Sequence, residues 1–459
     1  MADTKITALT ALTAADPAND VIPIVDVSDT SMAASGTTKK ISVNNILGAS
    51  GTATLASATI TGAATVGTTL VVTGKVTANT NIEITRGLLN DGTSTGVGAT
   101  ALAATTAGAT GNTALGYQAM YRATTASNNV AVGINTLNAA AMTGQYNVGI
   151  GFSAGKAITT GSRNVAIGTD CFANQTFPIT GSTNIAIGNA AMYSSASITG
   201  SDNVGIGGDT FRNLTSGSNN VAIANNAGNS LTTGSYNVAI GYLAGQKNLT
   251  SDYTVAVGFF ALRNNTIAGN VGVGLQALDL NTTGTNNTAV GNNALAAVVT
   301  TSNNTALGYQ AGKNTTGSDT TAIGSNALAL ATGGTGNTAV GMTALGAGVV
   351  TGGYNTCVGQ IAGTAVTSGN NNVFIGAEAG QTTTTGAANI CIGSGAVTGS
   401  VSVSNTLSIG SSVQYVATNG NATTYYSTAT AGAVVPTNFV GYIRIRLNGT
   451  FVKVPIYND

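Results

Sequence analysis

The sequence predicts an all-β fold, a parallel β-solenoid or β-roll of about 18 coils, on three observations. First, the motif Asn-[Val/Ile/Thr]-[Ala/Gly]-[Ile/Val/Leu]-Gly recurs 18 times between residues 112 and 410, at spacings of 16 to 20 residues, most of them 17. Second, its three central positions alternate a β-branched or aliphatic residue with a small one, the signature of a short strand. Third, the chain has 63 Gly but only 5 Pro in 459 residues and only 7% charged residues. That composition excludes both collagen and a highly charged disordered chain. A 17-residue unit cannot bury a core alone, whereas stacked copies can.

Each motif position has a physical reading. The closing residue is Gly in 17 copies and Ala224 in the other; Gly permits a turn with positive φ that a β-branched residue resists. The opening residue is Asn in 15 copies and Thr in three (Thr254, Thr320, Thr406), so stacking predicts a ladder of side-chain amides. Ala lies three residues beyond the closing position in 14 copies, and Gly lies three before the motif in 12. The unit therefore reads as strand, turn, short return strand, turn. The 17 intervals at ~4.8 Å predict a rod of roughly 80 Å.

The middle position is Ala in 11 copies and Gly in three. With the aliphatic third position taken as core, this stripe faces the other way, where close approach of another chain requires small residues. Ala131, Ala166, Ala186, Ala222, Ala239, Ala256, Ala289, Ala306 and Ala339 are accordingly the expected contacts of a homotrimer.

The flanks differ. Residues 1–50 hold eight of the 30 charged residues and two apolar segments, Asp20–Ser28 and Thr37–Val43, and read as a small attachment module. Residues 51–111 carry looser Thr-Gly punctuated segments that suit a β stalk. Residues 411–459 read as a β cap or tip, where Asn448-Gly449 between alternating segments predicts a hairpin. Aromatics gather there, and Tyr425, Tyr426 and Arg444 are the candidate receptor-binding residues, since Tyr and Arg dominate small recognition surfaces.

The motif as it stands in Asn164–Gly168 and Asn237–Gly241 resembles the head repeats of YadA-like trimeric adhesins, which implies a trimeric parallel β-roll over 112–410. Asp20-Val-Ile-Pro-Ile-Val-Asp-Val with Gly36-Thr-Thr-Lys-Lys-Ile resembles the start of tailed-phage fibre proteins. Gly441-Tyr-Ile-Arg-Ile-Arg-Leu-Asn-Gly-Thr with Val454-Pro-Ile-Tyr resembles their C-terminal strands. These resemblances imply a virion-exterior fibre whose residues 1–50 dock on a baseplate, tail or capsid protein and which contacts a host-surface receptor. A trimeric bacterial surface adhesin and a purely structural capsid-mounted fibre are the alternatives.

Composition argues against other chemistry. There is no His, hence no imidazole base, His triad or His-ligated zinc. The seven acids of the repeat region (Asp170, Asp202, Asp209, Asp252, Asp279, Asp319, Glu378) occupy different repeat positions, and only Asp202 and Asp209 share a coil. A glycosidase pair is not expected, nor an ice-binding face, because the Thr runs lie in turns of varying length. Cys171, Cys357 and Cys391 have no metal-site spacing, and Cys357 and Cys391 stand two coils apart, too far to bridge. The balance of 15 basic and 15 acidic residues gives no nucleic-acid footprint. The N-terminus lacks a secretory-signal pattern, and no apolar run reaches about 18 residues, so membrane insertion is not expected. No metal or other cofactor is expected, and the chain reads as a non-enzymatic structural protein.

Overall fold

A computed structural model describes residues 93–104, 108–174 and 176–410, together with strand backbone at 415–418, 425–426, 438–447 and 450–458. The 1–50 segment and most of 51–111 lie outside the described residues.

Nineteen short strands, β1 (Thr95–Val97) through β19 (Thr406–Ile409), pair in parallel, each with the strand of the coil before and after. Pairing is in register: Val255 lies between Val238 and Val271, and Ala256 between Ala239 and Gly272. Identical motif positions therefore stack into columns, and 18 steps of ~4.8 Å make a rod of roughly 85 Å. The array begins one coil earlier than the motif count. In β1 a buried Ser94 stands where later coils have Asn, and its hydroxyl accepts from the Asn112 amide at 3.2 Å. Beyond β19 the pairing turns antiparallel, through β20 (Tyr415–Thr418) and β21 (Tyr425–Tyr426). A separate antiparallel pair joins β22 (Asn438–Leu447) to β23 (Thr450–Asn458), with Leu447 opposite Thr450 across the predicted Asn-Gly turn.

The Asn column is an internal ladder, interrupted where Thr254 and Thr320 stand in it: the Thr254 Oγ1 has no partner, and the Thr320 hydroxyl donates back to Asn304 Oδ1 at 2.6 Å. The Oδ1 of Asn203 accepts the Asn220 amide at 3.0 Å, and that of Asn220 accepts the Asn237 amide at 2.9 Å. The Nδ2 groups donate to the carbonyl three residues before the next motif, as Asn220 does to Gly234 at 2.9 Å, except at Asn304, which donates back to Asn287 Oδ1 at 3.0 Å. That geometry accounts for the Gly three residues before the motif: a Cβ on Gly161 would lie 2.3 Å from the Gly181 carbonyl oxygen and 2.8 Å from Asn164 Nδ2. The closing Gly column is equally constrained, since Gly241 has φ +129° and a Cβ there would meet the Gly258 oxygen at 2.5 Å.

The predicted return strand is not formed. That stretch is a chain of turns, with isolated parallel bridges such as Ile158 to Ile179 and Ile179 to Ile198. The reason is local. The second and fourth residues after the closing Gly sit in the left-handed region, as in Phe260 (φ 59°) and Leu262 (φ 48°), which cannot extend into a strand. The fourth residue nonetheless carries the bulk of the core: Met120, Leu137, Phe172, Met192, Phe211, Leu262 and Leu295 are fully buried. Glycines interrupt this column of large residues, singly at Gly155 and Gly312 and in pairs at Gly228 with Gly245 and Gly363 with Gly380. Phe211 occupies the space beside Gly228, and Leu295 the space beside Gly312, where an added Cβ would meet each neighbour at 2.7 Å.

The two faces of the strand are the reverse of the sequence expectation. Ala131, Ala166, Ala186, Ala222, Ala289 and Ala339 are 0% exposed within the single chain, Ala256 and Ala306 1%, and Ala239 5%. They point into the coil, against the Ala column three residues after the closing Gly. The coil is thin, and a methyl suffices at this position where Leu, Met or Phe fills the remaining space; Phe374 takes it where Gly363 and Gly380 leave that space open. These nine alanines are core residues and are not free to meet another chain. Cys357, Phe374 and Cys391 extend the same buried column.

Candidate functional site

Because the small residue points inward, the first and third strand positions point out. Leu115, Ile150, Leu307 and Ile375 are 40–50% exposed, and Val238, Ile240, Val255 and Val257 are half-buried. The outcome is a flat apolar face along the whole array, two aliphatic or Thr residues per coil. It is most apolar from β3 (Val130–Val132) to β11 (Val271–Val273), where the first position is Val or Ile. Thr takes that position from Thr288 to Thr356. At on the order of 50 Å² per half-exposed Val or Ile, the face exceeds both the few hundred Å² of a usual surface patch and the ~800 Å² per partner of a standard interface.

A second feature breaks the regularity. The two longest coils lie side by side, with closing glycines at 168, 188 and 207, spacings of 20 and 19 residues. Their extra residues follow Ala173 and Tyr193 and precede the Ile179 and Ile198 bridges. Beside them opens a cleft of about 470 Å³ lined by Phe152, Lys156, Asp170, Asn189, Tyr193 and Arg212. No lining residue belongs to a strand, so the cleft lies on the turn side, away from the apolar face. Arg212 is ion-paired with Asp209 and its guanidinium stacks 5.7 Å from the Tyr193 ring centroid.

The sequence-predicted site residues fall as follows. Tyr425 lies in β21, opposite Val416, and Tyr426 opposite Tyr415. Arg444 lies in β22, opposite Lys453. Their side chains lie outside the described residues. Of the two acids that share a coil, Asp209 is ion-paired with Arg212. Asp279 meets Arg263 through two hydrogen bonds of 2.9 and 3.1 Å, yet burial outweighs that partner and raises its carboxyl above the ordinary value. All three cysteines are free and buried. Burial pushes the thiols of Cys171 and Cys391 up to about 12 and raises that of Cys357 further. Among the described residues no group of three or more Cys, Asp or Glu is placed to hold a metal ion, and no helix is long and apolar enough to cross a membrane.

Comparison with protein-family models, curated proteins and solved structures finds no match to this chain.

Proposed function

We propose that the chain is a non-enzymatic structural fibre of a phage particle, assembled as a homotrimer through the outward Val/Ile/Leu face of its solenoid. The observation that carries this reading is that face: an apolar stripe along a roughly 85 Å rod is far longer than a soluble monomer ordinarily leaves uncovered. A repeating rod offers the same stripe to each copy, and three stripes meeting on one axis close without leaving a free patch. The contact residues in this reading are the outward neighbours of the alanines first considered, such as Val238 and Ile240 beside Ala239.

The solenoid then serves as a spacer. Residues 1–50 dock on the tail, baseplate or capsid, and residues 411–459 lie at the distal end, with Tyr425, Tyr426 and Arg444 the residues to test for receptor contact. The resemblance of both flanks to tailed-phage fibres supports this polarity. Gold labelling at residue 459, imaged on particles from a lysate, tests it. Label projecting from a tail or capsid at about the rod length is expected. Label confined to the surface of the producing cell would favour the adhesin instead.

A further inference from the structure

We infer that the cleft beside the two long coils is a binding site for a neutral saccharide. The inference is independent of the fibre reading.

Four observations converge on this place. The solenoid is regular elsewhere, and insertions in a repeat array map to loops that commonly form its binding face; here the insertions directly follow Ala173 and Tyr193, which line the cleft. Its volume of about 470 Å³ falls within the range of small-ligand clefts. Ala173 forms part of the wall between the Lys156 and Tyr193 positions of neighbouring coils, so the opening exists because a small residue stands where its neighbours are long. Finally, charge is concentrated here in a chain that has little of it.

The lining chemistry selects the ligand class. Phe152 is 50% exposed and offers an apolar ring face, and Tyr193 presents a second ring backed by Arg212. Flat rings of this kind meet the C–H face of a pyranose. Asn189, Asp170 and Lys156 supply amide, carboxylate and ammonium groups that hydrogen-bond hydroxyls in both senses. The balance of charge is close to zero: Lys156 offsets Asp170, and Arg212 is already neutralised by Asp209. A polyanion or a phosphate would meet Asp170 with no free excess of cation, whereas a neutral polyol meets donors and acceptors alike. The backbone sets the carboxylate's place, since Asp170 sits at φ 55° with its amide held by the Phe152 carbonyl at 3.0 Å.

The test is a microarray of neutral and acidic oligosaccharides probed with the full-length protein. Saturation-transfer NMR on the best neutral probe then follows, using the wild type and the variants Asp170→Ala, Phe152→Ser and Tyr309→Ser. Tyr309 holds the position of Phe152 in a coil of ordinary length and does not line this cleft. Binding of at least one neutral oligosaccharide is expected, weakened tenfold or more by Asp170→Ala and Phe152→Ser and unchanged by Tyr309→Ser. Circular dichroism and sedimentation check each variant; should Phe152→Ser alter either, Asp170→Ala decides alone. Absence of binding to every oligosaccharide, preference for acidic ones, or binding that survives Asp170→Ala would overturn the inference.

Discussion

Asn220 offers the sharpest perturbation of the internal ladder. Truncation to Ala removes a donor to the Gly234 carbonyl at 2.9 Å and an acceptor for the Asn237 amide at 2.9 Å. Asn203 Oδ1 keeps the Asn220 amide at 3.0 Å, and Asn237 Nδ2 keeps the Ser251 carbonyl at 2.7 Å, so two backbone groups are orphaned in a buried setting. At roughly 1–3 kcal/mol for each unsatisfied group, the cost is about 2–6 kcal/mol. Coils contact only their neighbours, so the loss is expected to stay local. Hydrogen exchange read by mass spectrometry on the full chain is the appropriate assay. Amides between about Leu214 and Thr254 should exchange on the order of 30-fold faster or more, and those between Asn355 and Ile392 should not change. The reverse change has its own arm. Thr254 stands in the Asn column with its Oγ1 unpartnered, beside a void of about 10 Å³. Thr254→Asn should slow exchange locally by about 1 kcal/mol. Exchange within threefold of wild type in Asn220→Ala would refute the ladder as a source of stability.

Two further predictions follow from the core. Gly245 follows Gly228 in the column that elsewhere carries the large core residues, and an added Cβ there meets nothing closer than the Ala239 Cβ at 3.5 Å. Gly245→Ala and Gly312→Ala carry the same strain of a side chain at φ +57°, but Gly312→Ala also meets Leu295 at 2.7 Å and should cost about 1–3 kcal/mol more in thermal melts, on the scale of overpacked cores; equal effects would contradict the packing. The buried thiols set the alkaline limit. Their folded values are raised, so their contribution is complete below the ordinary thiol value and is lost as pH rises from about 9 towards 12, where only the unfolded chain ionises. Each thiol should lower stability by ~1.4 kcal/mol per pH unit in that window. Cys357→Ala, the residue found at that position in 11 copies, should flatten the dependence in alkaline denaturant titrations, and an unchanged slope would count against it.

The repeat and its Asn and Gly columns were legible because each needs one residue type for one geometric reason. The direction of the strand faces was not. Alternation separates two faces without saying which is inside, and the usual rule that the bulkier aliphatic goes in fails here, where Ala166, Ala186 and Ala222 are buried and the Val and Ile on either side of them face out. The return strand was misread because left-handed residues such as Phe260 and Leu262 are ordinary apolar residues in sequence. Ser94 hid one coil by substituting for Asn. The cleft was present in the sequence only as two spacings, 20 and 19 residues, between Gly168, Gly188 and Gly207.

The account rests most heavily on self-association through the outward face, and sedimentation equilibrium of the full chain at micromolar concentration tests it directly. The wild type is expected at three times the 44.8 kDa chain mass. Val238→Lys with Ile240→Lys should sediment as a folded monomer, since these side chains leave the coil's own core intact. A wild-type protein that is a stable monomer, or a double variant that remains trimeric, would contradict the central claim.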